Sequence, residues 1–323
     1  MKGLLLFLTI CLSSFSNVSF TNKWGFDSHK RINRMAVFML PEGMFGFYKQ
    51  HIQFITDHAV DADKRRYVTE KEAPKHYINV DQYITNSQEN PFKVIPKSWT
   101  NAEKKYGKDT LELYGILPWH IQTMLRKLTF AFEKKNASLI LKYSSDIGHY
   151  IADAHVPLHT TKNYDGQLTN QVGIHKFWET RIPEVYDTEF NYFVGKATYI
   201  KQPLKYTWDI IKESFNAVDS VLGFEKKLSS EYPSDRKYSL STKGTRTVKT
   251  QAEDYTRKYH QMLDEMVERR MKKSIHSIGC YWYTAWVNAG QPNLNELMNT
   301  PLVDSLKNVP IETRHLKIKG RKH

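Results

Sequence analysis

Apolar residues recur along this chain at helical spacing. Over residues 119–135 they fall at Ile121, Met124, Leu125, Leu128, Ala131 and Phe132, one face of a 3.6-residue period. Over 138–155 the pattern continues through Leu139, Ile140, Tyr143, Ile147, Tyr150 and Ile151, and Pro157 ends it because its ring cannot extend a helix. Residues 206–222 carry Ile210, Ile211, Phe215, Val218 and Leu222, and 249–288 carry Tyr255, Tyr259, Met262, Met266 and Val267 before an aromatic-rich end that stops at Gly290 and Pro292. Residues 29–40 are also helix-like. Strand-like alternation is scarce, with 196–201 the best short case. Residues 224–250 hold charges, Ser, Gly and Thr with weak periodicity and read as a long surface loop. No internal repeat is evident. The pattern predicts an all-α, single-domain multi-helix bundle over residues 24–300, followed by a short basic tail at 301–323.

The first residues follow a different rule. In 1–16 a Lys precedes an apolar run from Leu4 to Leu12, and small residues follow, the layout of a secretory signal peptide cleaved between 16 and 23. Export to the periplasm or the medium is expected, with lipid anchoring through Cys11 as the alternative. Once such a signal is removed, Cys280 is the sole cysteine and no internal disulfide can form, which leaves a stabilising role for metal. Composition narrows the class further. A chain that is 40% hydrophobic and 25% charged can bury a core, and 2 Cys exclude a disulfide-stapled miniprotein or a Cys-based zinc ribbon. Mean hydropathy is -0.57, and beyond the N-terminus no apolar run reaches the ~20 residues of a membrane helix. The formal charge of +13 points to a polyanionic partner.

The chemistry concentrates in one stretch. His149 and Asp153 lie four apart on a predicted helix, so both project from one face, where imidazole nitrogen and carboxylate oxygen can grip one ion. His159 follows the Pro157 break and can fold back toward them. His175 and Glu179 repeat the four-residue spacing. A single such pair is most often a helix-surface ion pair, but two pairs flanking a Pro-Leu-His turn read as a site for more than one divalent metal. Mixed nitrogen and oxygen donors without Cys suit zinc first, then manganese or iron. His155 points elsewhere on the helix, and His51, His120, His260 and His276 have no matching partner and read as structural.

Taken in order, Trp24, His29, Asp61, His76, His149-x3-Asp153-x5-His159 and His175-x3-Glu179 resemble the superfamily that groups bacterial zinc-dependent phospholipase C with the fungal and plant zinc nucleases specific for single strands. The resemblance spans about residues 24–288. It implies an all-α fold around a di- or trinuclear zinc site. Asp61, His76, His149 and Asp153 would hold a first ion, and His159, His175 and Glu179 a second. His29 would hold a third, with Asp153 bridging and the Trp24 amine and carbonyl completing it. That third position depends on a free amine at Trp24, which here follows Lys23. The implied activity is hydrolysis of a phosphodiester to a phosphomonoester and an alcohol. Asp61 is the catalytic candidate, orienting or deprotonating the nucleophile, unless it is purely a ligand.

Glu179 is the phospholipase-type choice at its position, whereas Trp178 is nuclease-like. The expected substrate is therefore a phospholipid, with a peripheral contact to the membrane surface, or else single-stranded nucleic acid in a nuclease or 3'-nucleotidase. No protein partner is predicted. A third reading, motivated by an internal Trp24, is a non-catalytic, metal-stabilised surface-binding protein. Lys64, Arg65 and Arg66 could attract an anion or form a solvated basic run. Tyr77, Tyr164 and Trp119 could stack on a base or headgroup, although most aromatics are expected in the core.

Overall fold

The computed structural model describes residues 25–302, apart from 87, 244 and 245. It is mostly helical, with one small hairpin. The segment 1–16 read as a signal peptide, Cys11, Trp24 and the residues beyond 302 lie outside the described residues. Helices α1 (Gly25–Ala36) and α3 (Ala137–Ala154) carry residues of the site, and α2 (Leu117–Glu133) packs on α3. The scaffold adds α4 (Pro203–Asn216), α5 (Val218–Glu231), α6 (Glu253–Met262) and α7 (Met266–Asn288).

Helix α3 lies at the centre. Pro118 starts α2 at a position where a missing N–H costs nothing, and the short link 134–136 turns the chain back. Asn136 then caps α3 by accepting a hydrogen bond from the Leu139 amide at 3.0 Å. Every residue of α3 from Ser144 to Ala154 is buried, because α1, α2 and α7 all pack on it. A helix buried on all sides must satisfy its polar groups internally. Ser144 does so through Tyr48 at 2.8 Å, and its carbonyl accepts from the Trp282 indole at 3.0 Å.

The crossing of α1 over α3 is close. A methyl group at Gly148 would sit 2.2 Å from Asn33 Oδ1, while Asn33 Nδ2 donates to the Ser145 carbonyl at 3.1 Å. Buried apolar residues from nearly every helix, among them Phe47, Ile78, Phe132, Ile147, Tyr259 and Trp282, join in one hydrophobic cluster.

Four expectations change. The helix read over 206–222 is two helices, with Ala217 between them. The surface loop read over 224–250 holds the end of α5 and then an antiparallel hairpin, β1 (Tyr238–Lys243) and β2 (Arg246–Gln251), paired Tyr238 to Gln251. The segment read over 249–288 divides at Asp264 and Glu265, whose positive φ values of 49° and 55° end α6 before α7 begins. Residues 196–201 form no strand. Their amides bond to the Met39 carbonyl and the Thr284 hydroxyl instead, each at 2.9 Å. Helix α1 ends at Ala36, and a 3-10 turn, Val37–Met39, carries the chain toward Pro41. No helix among the described residues is long and apolar enough to cross a membrane.

Candidate metal centre

The tight α1–α3 crossing places His29 against His149, their rings stacked with centroids 4.1 Å apart. Asp153 stands one turn beyond His149 on the same face of α3. Val156 is extended after α3 ends, and the turn Pro157–Thr160 brings His159 back. There the Ile78 amide donates to the His159 carbonyl at 2.9 Å, fixing His159 beside the turn Ala73–His76 that carries His76. His175 enters from a loop. Gly173 has φ 97°, and Asp165 Oδ1 accepts from the Gly173 and His175 amides at 3.0 and 3.3 Å. A π-turn, Phe177–Arg181, then widens the helix and presents Glu179.

Hydrogen-bond chemistry fixes how the imidazoles face. His149 Nδ1 lies 2.9 Å from the Ala59 carbonyl, His159 Nδ1 2.6 Å from the His76 carbonyl, and His175 Nδ1 2.9 Å from the Tyr164 carbonyl. A carbonyl only accepts, so each Nδ1 donates to its carbonyl and each ring turns Nε2 toward the cluster. Those nitrogens converge. His159 Nε2 and His175 Nε2 are 3.2 Å apart, with Glu179 Oε2 2.7 Å from the latter. His149 Nε2 stands 3.1 Å from His76 Nδ1 and 3.3 Å from Asp153 Oδ2. Acceptors facing acceptors in a buried site repel unless a proton or a metal cation lies between them. A histidine whose far nitrogen donates to a backbone carbonyl is the usual arrangement of a metal ligand.

The donors form overlapping sets, each with ligand atoms within 4.8 Å of one another: His76, His149 and Asp153; His159, His175 and Glu179; His29, Asp153 and Glu179; His29, Asp63 and His149. All are nitrogen or carboxylate oxygen, which fits zinc and also suits other divalent ions. His149, Asp153, His159, His175 and Glu179 are thus brought together as their spacing suggested, and His29 and His76, expected from the resemblance alone, join them. Trp24 lies outside the described residues.

Asp61 is not brought to the cluster. Its carboxylate holds His58 Nδ1 at 2.5 Å and Lys64 Nζ at 2.8 Å. The carboxylate that faces the cluster is Asp63, 3.7 Å from His149 Nε2 and 3.8 Å from His76 Nδ1. Both acids belong to one short helix, Asp61–Arg65, and its start uses Asp61 locally.

A second carboxylate was missed as well. Glu72 is buried behind His76, with Oε1 3.7 Å from His76 Nε2, and is bonded to Tyr150 and to Lys75 at 2.5 Å. It stands four residues before His76, the spacing that marked the other pairs.

Burial alone would raise the Asp153 and Glu179 carboxyls, but the surrounding imidazoles hold both well below the usual carboxylate range. Burial works against a charge on His29 too, yet Glu179, Asp153 and Asp63 outweigh it and raise its pKa to about 9. His29 therefore keeps a proton between the two carboxylates. His155 is buried, bonded to Ser277 at 3.0 Å, and held neutral by desolvation.

The basic run beside the site is engaged locally. Lys64 pairs with Asp61 at 2.8 Å, Arg65 with Asp146 at 2.9 Å, and Arg66 with Asp63 at 3.6 Å. Trp119 and Tyr77 are buried in the fold, and the Trp119 indole donates to the Lys97 carbonyl at 2.8 Å. Neither forms an open stacking platform.

No protein-family model matches the chain, and no curated protein matches it.

Proposed function

We propose that the chain is an exported zinc-dependent phosphodiesterase, of phospholipase C type in preference to a single-strand nuclease. One observation carries the metal part of this reading: the facing ring nitrogens of His159 and His175, 3.2 Å apart beside Glu179. The phosphodiester part rests on the ordered motif and on the +13 charge of the chain. Zinc bound in such a cluster supplies charge neutralisation at phosphoryl oxygens and lowers the pKa of a water toward ~7.

The chain's own residues divide the remaining work. His149, His159 and His175 are oriented by backbone carbonyls and need no reorganisation to bind. Asp153 is only 2% exposed and acts as a ligand, whereas Asp63 is 20% exposed at the rim. Asp63 rather than Asp61 is therefore the group placed to orient or deprotonate an attacking water. Glu179 favours the lipid substrate, and hydrolysis on the headgroup side would release a phosphomonoester. Residues 1–16 would direct export.

The test pairs two substrates on the zinc-loaded chain. Hydrolysis of phosphatidylcholine vesicles, lost with chelator and in His149→Ala, is expected. Brisk cleavage of single-stranded DNA with no lipid turnover would move the assignment to the nuclease. Bound metal with turnover of neither would leave a metal-stabilised binding protein.

A further inference from the structure

Glu179 faces two ways. Its Oε2 lies 2.7 Å from His175 Nε2 and 3.5 Å from His159 Nε2, while its Oε1 lies 3.4 Å from His29 Nε2. On the other side of His29, Asp153 Oδ1 stands at 3.5 Å. His29, Asp153 and Glu179 thus form a complete three-donor set, and the His159–His175 set shares the second oxygen of the same glutamate.

The backbone supports this placement. Ser28, the neighbour of His29 on α1, donates from Oγ to the Glu179 carbonyl at 3.3 Å, tying the π-turn to α1. The His29 ring is fixed by its stack on His149. Length matters as well: an aspartate here would be one methylene shorter and could not keep both contacts from the same backbone position.

We propose that Glu179 is a bridging ligand that completes the metal position at His29. Occupation of that position then does not require a free amine at Trp24. The inference rests on the metal reading above and goes beyond it. It assigns the glutamate to two positions at once and makes the His29 position independent of N-terminal processing.

The test counts ions by native mass spectrometry during zinc titration of the metal-free protein. Four proteins are compared: the full chain, a form beginning at Trp24, Glu179→Asp and His175→Ala. The expected results are equal ion counts, with affinities within about threefold, for the full chain and the Trp24 form. His175→Ala should weaken one binding step, and Glu179→Asp should weaken two, each by about tenfold or more. Circular dichroism of the metal-free variants checks folding, and Glu179→Gln, which keeps the length but loses the charge, replaces any variant that fails that check and should also weaken two steps. Two results would overturn the bridge alone: an additional ion only in the Trp24 form, or one weakened step in Glu179→Asp or its replacement. A full chain that takes up no zinc at all would overturn the metal reading with it.

Discussion

At the scale of single residues, the two acids of the helix Asp61–Arg65 divide between the cluster and local contacts. Asp61 is held by His58 and Lys64, and Asp63 turns to the cluster. With the zinc-loaded protein, Asp63→Asn is expected to lower kcat for a phosphodiester by about 10²-fold or more, and Asp61→Asn by only a few fold. Steady-state kinetics on the two variants checks this, and equal losses would return the role to Asp61. Proton bookkeeping provides a second prediction. The His29 pKa of about 9 lies above its ordinary 6.5, so in metal-free protein its ion pairs contribute fully below pH 6.5 and are lost as pH rises through 9. Metal must displace the same proton. Zinc affinity should therefore climb between pH 6.5 and 9 while the stability of the metal-free protein falls. Calorimetry in buffers of different ionisation heat should find proton release on zinc binding at pH 7, and zinc uptake without proton release would contradict the assignment.

At the scale of elements, the site depends on how closely α1 crosses α3. Gly148 allows that approach, and the stack of His29 on His149 follows from it. Gly148→Ala should push Asn33 away, destabilise the protein by about 1–3 kcal/mol, and weaken the sets that contain His29 more than the set at His159. Thermal unfolding with ion counting measures both effects. The legible part of the site also lies at this scale. His149 with Asp153 and His175 with Glu179 were readable because four-residue spacing on a helix fixes which side chains share a face. Asp63 was not readable from spacing, because the helix Asp61–Arg65 is too short for periodicity to decide between two acids two residues apart. The β1–β2 hairpin escaped for a related reason. Its residues YSLSTK and RTVKTQ are mostly polar, and the large hydrophobic side chains on β1, Tyr238 and Leu240, are 39% and 75% exposed, so no buried face marks it. The breaks at Ala217 and at Asp264 and Glu265 carry neither Gly nor Pro and leave the helical period almost undisturbed.

At the scale of the whole molecule, the cluster is a structural cross-link as well as a candidate reaction centre. It joins α1, α3, the His76 turn and the Glu179 π-turn, segments far apart in sequence. Cys280 is buried and free, so no disulfide within the described residues shares that task. Chelation should lower Tm by on the order of 10 °C, with zinc restoring it, if the ion is present at roughly 1,000 times its Kd. The charge of +13 takes on a narrower meaning at this scale, because the basic run nearest the site is already paired with Asp61, Asp146 and Asp63. Under the proposed function, attraction of an anionic substrate would come from the long-range field of the chain and from bound metal.

The most direct test of the central claim is a zinc titration of the metal-free chain, followed by hydrolysis of a chromogenic phosphodiester. Activity is expected to be absent at the start, to rise after more than one equivalent of zinc, and to level off once the cluster is filled. A chain that binds zinc at the cluster yet hydrolyses no phosphodiester at any loading would contradict the account.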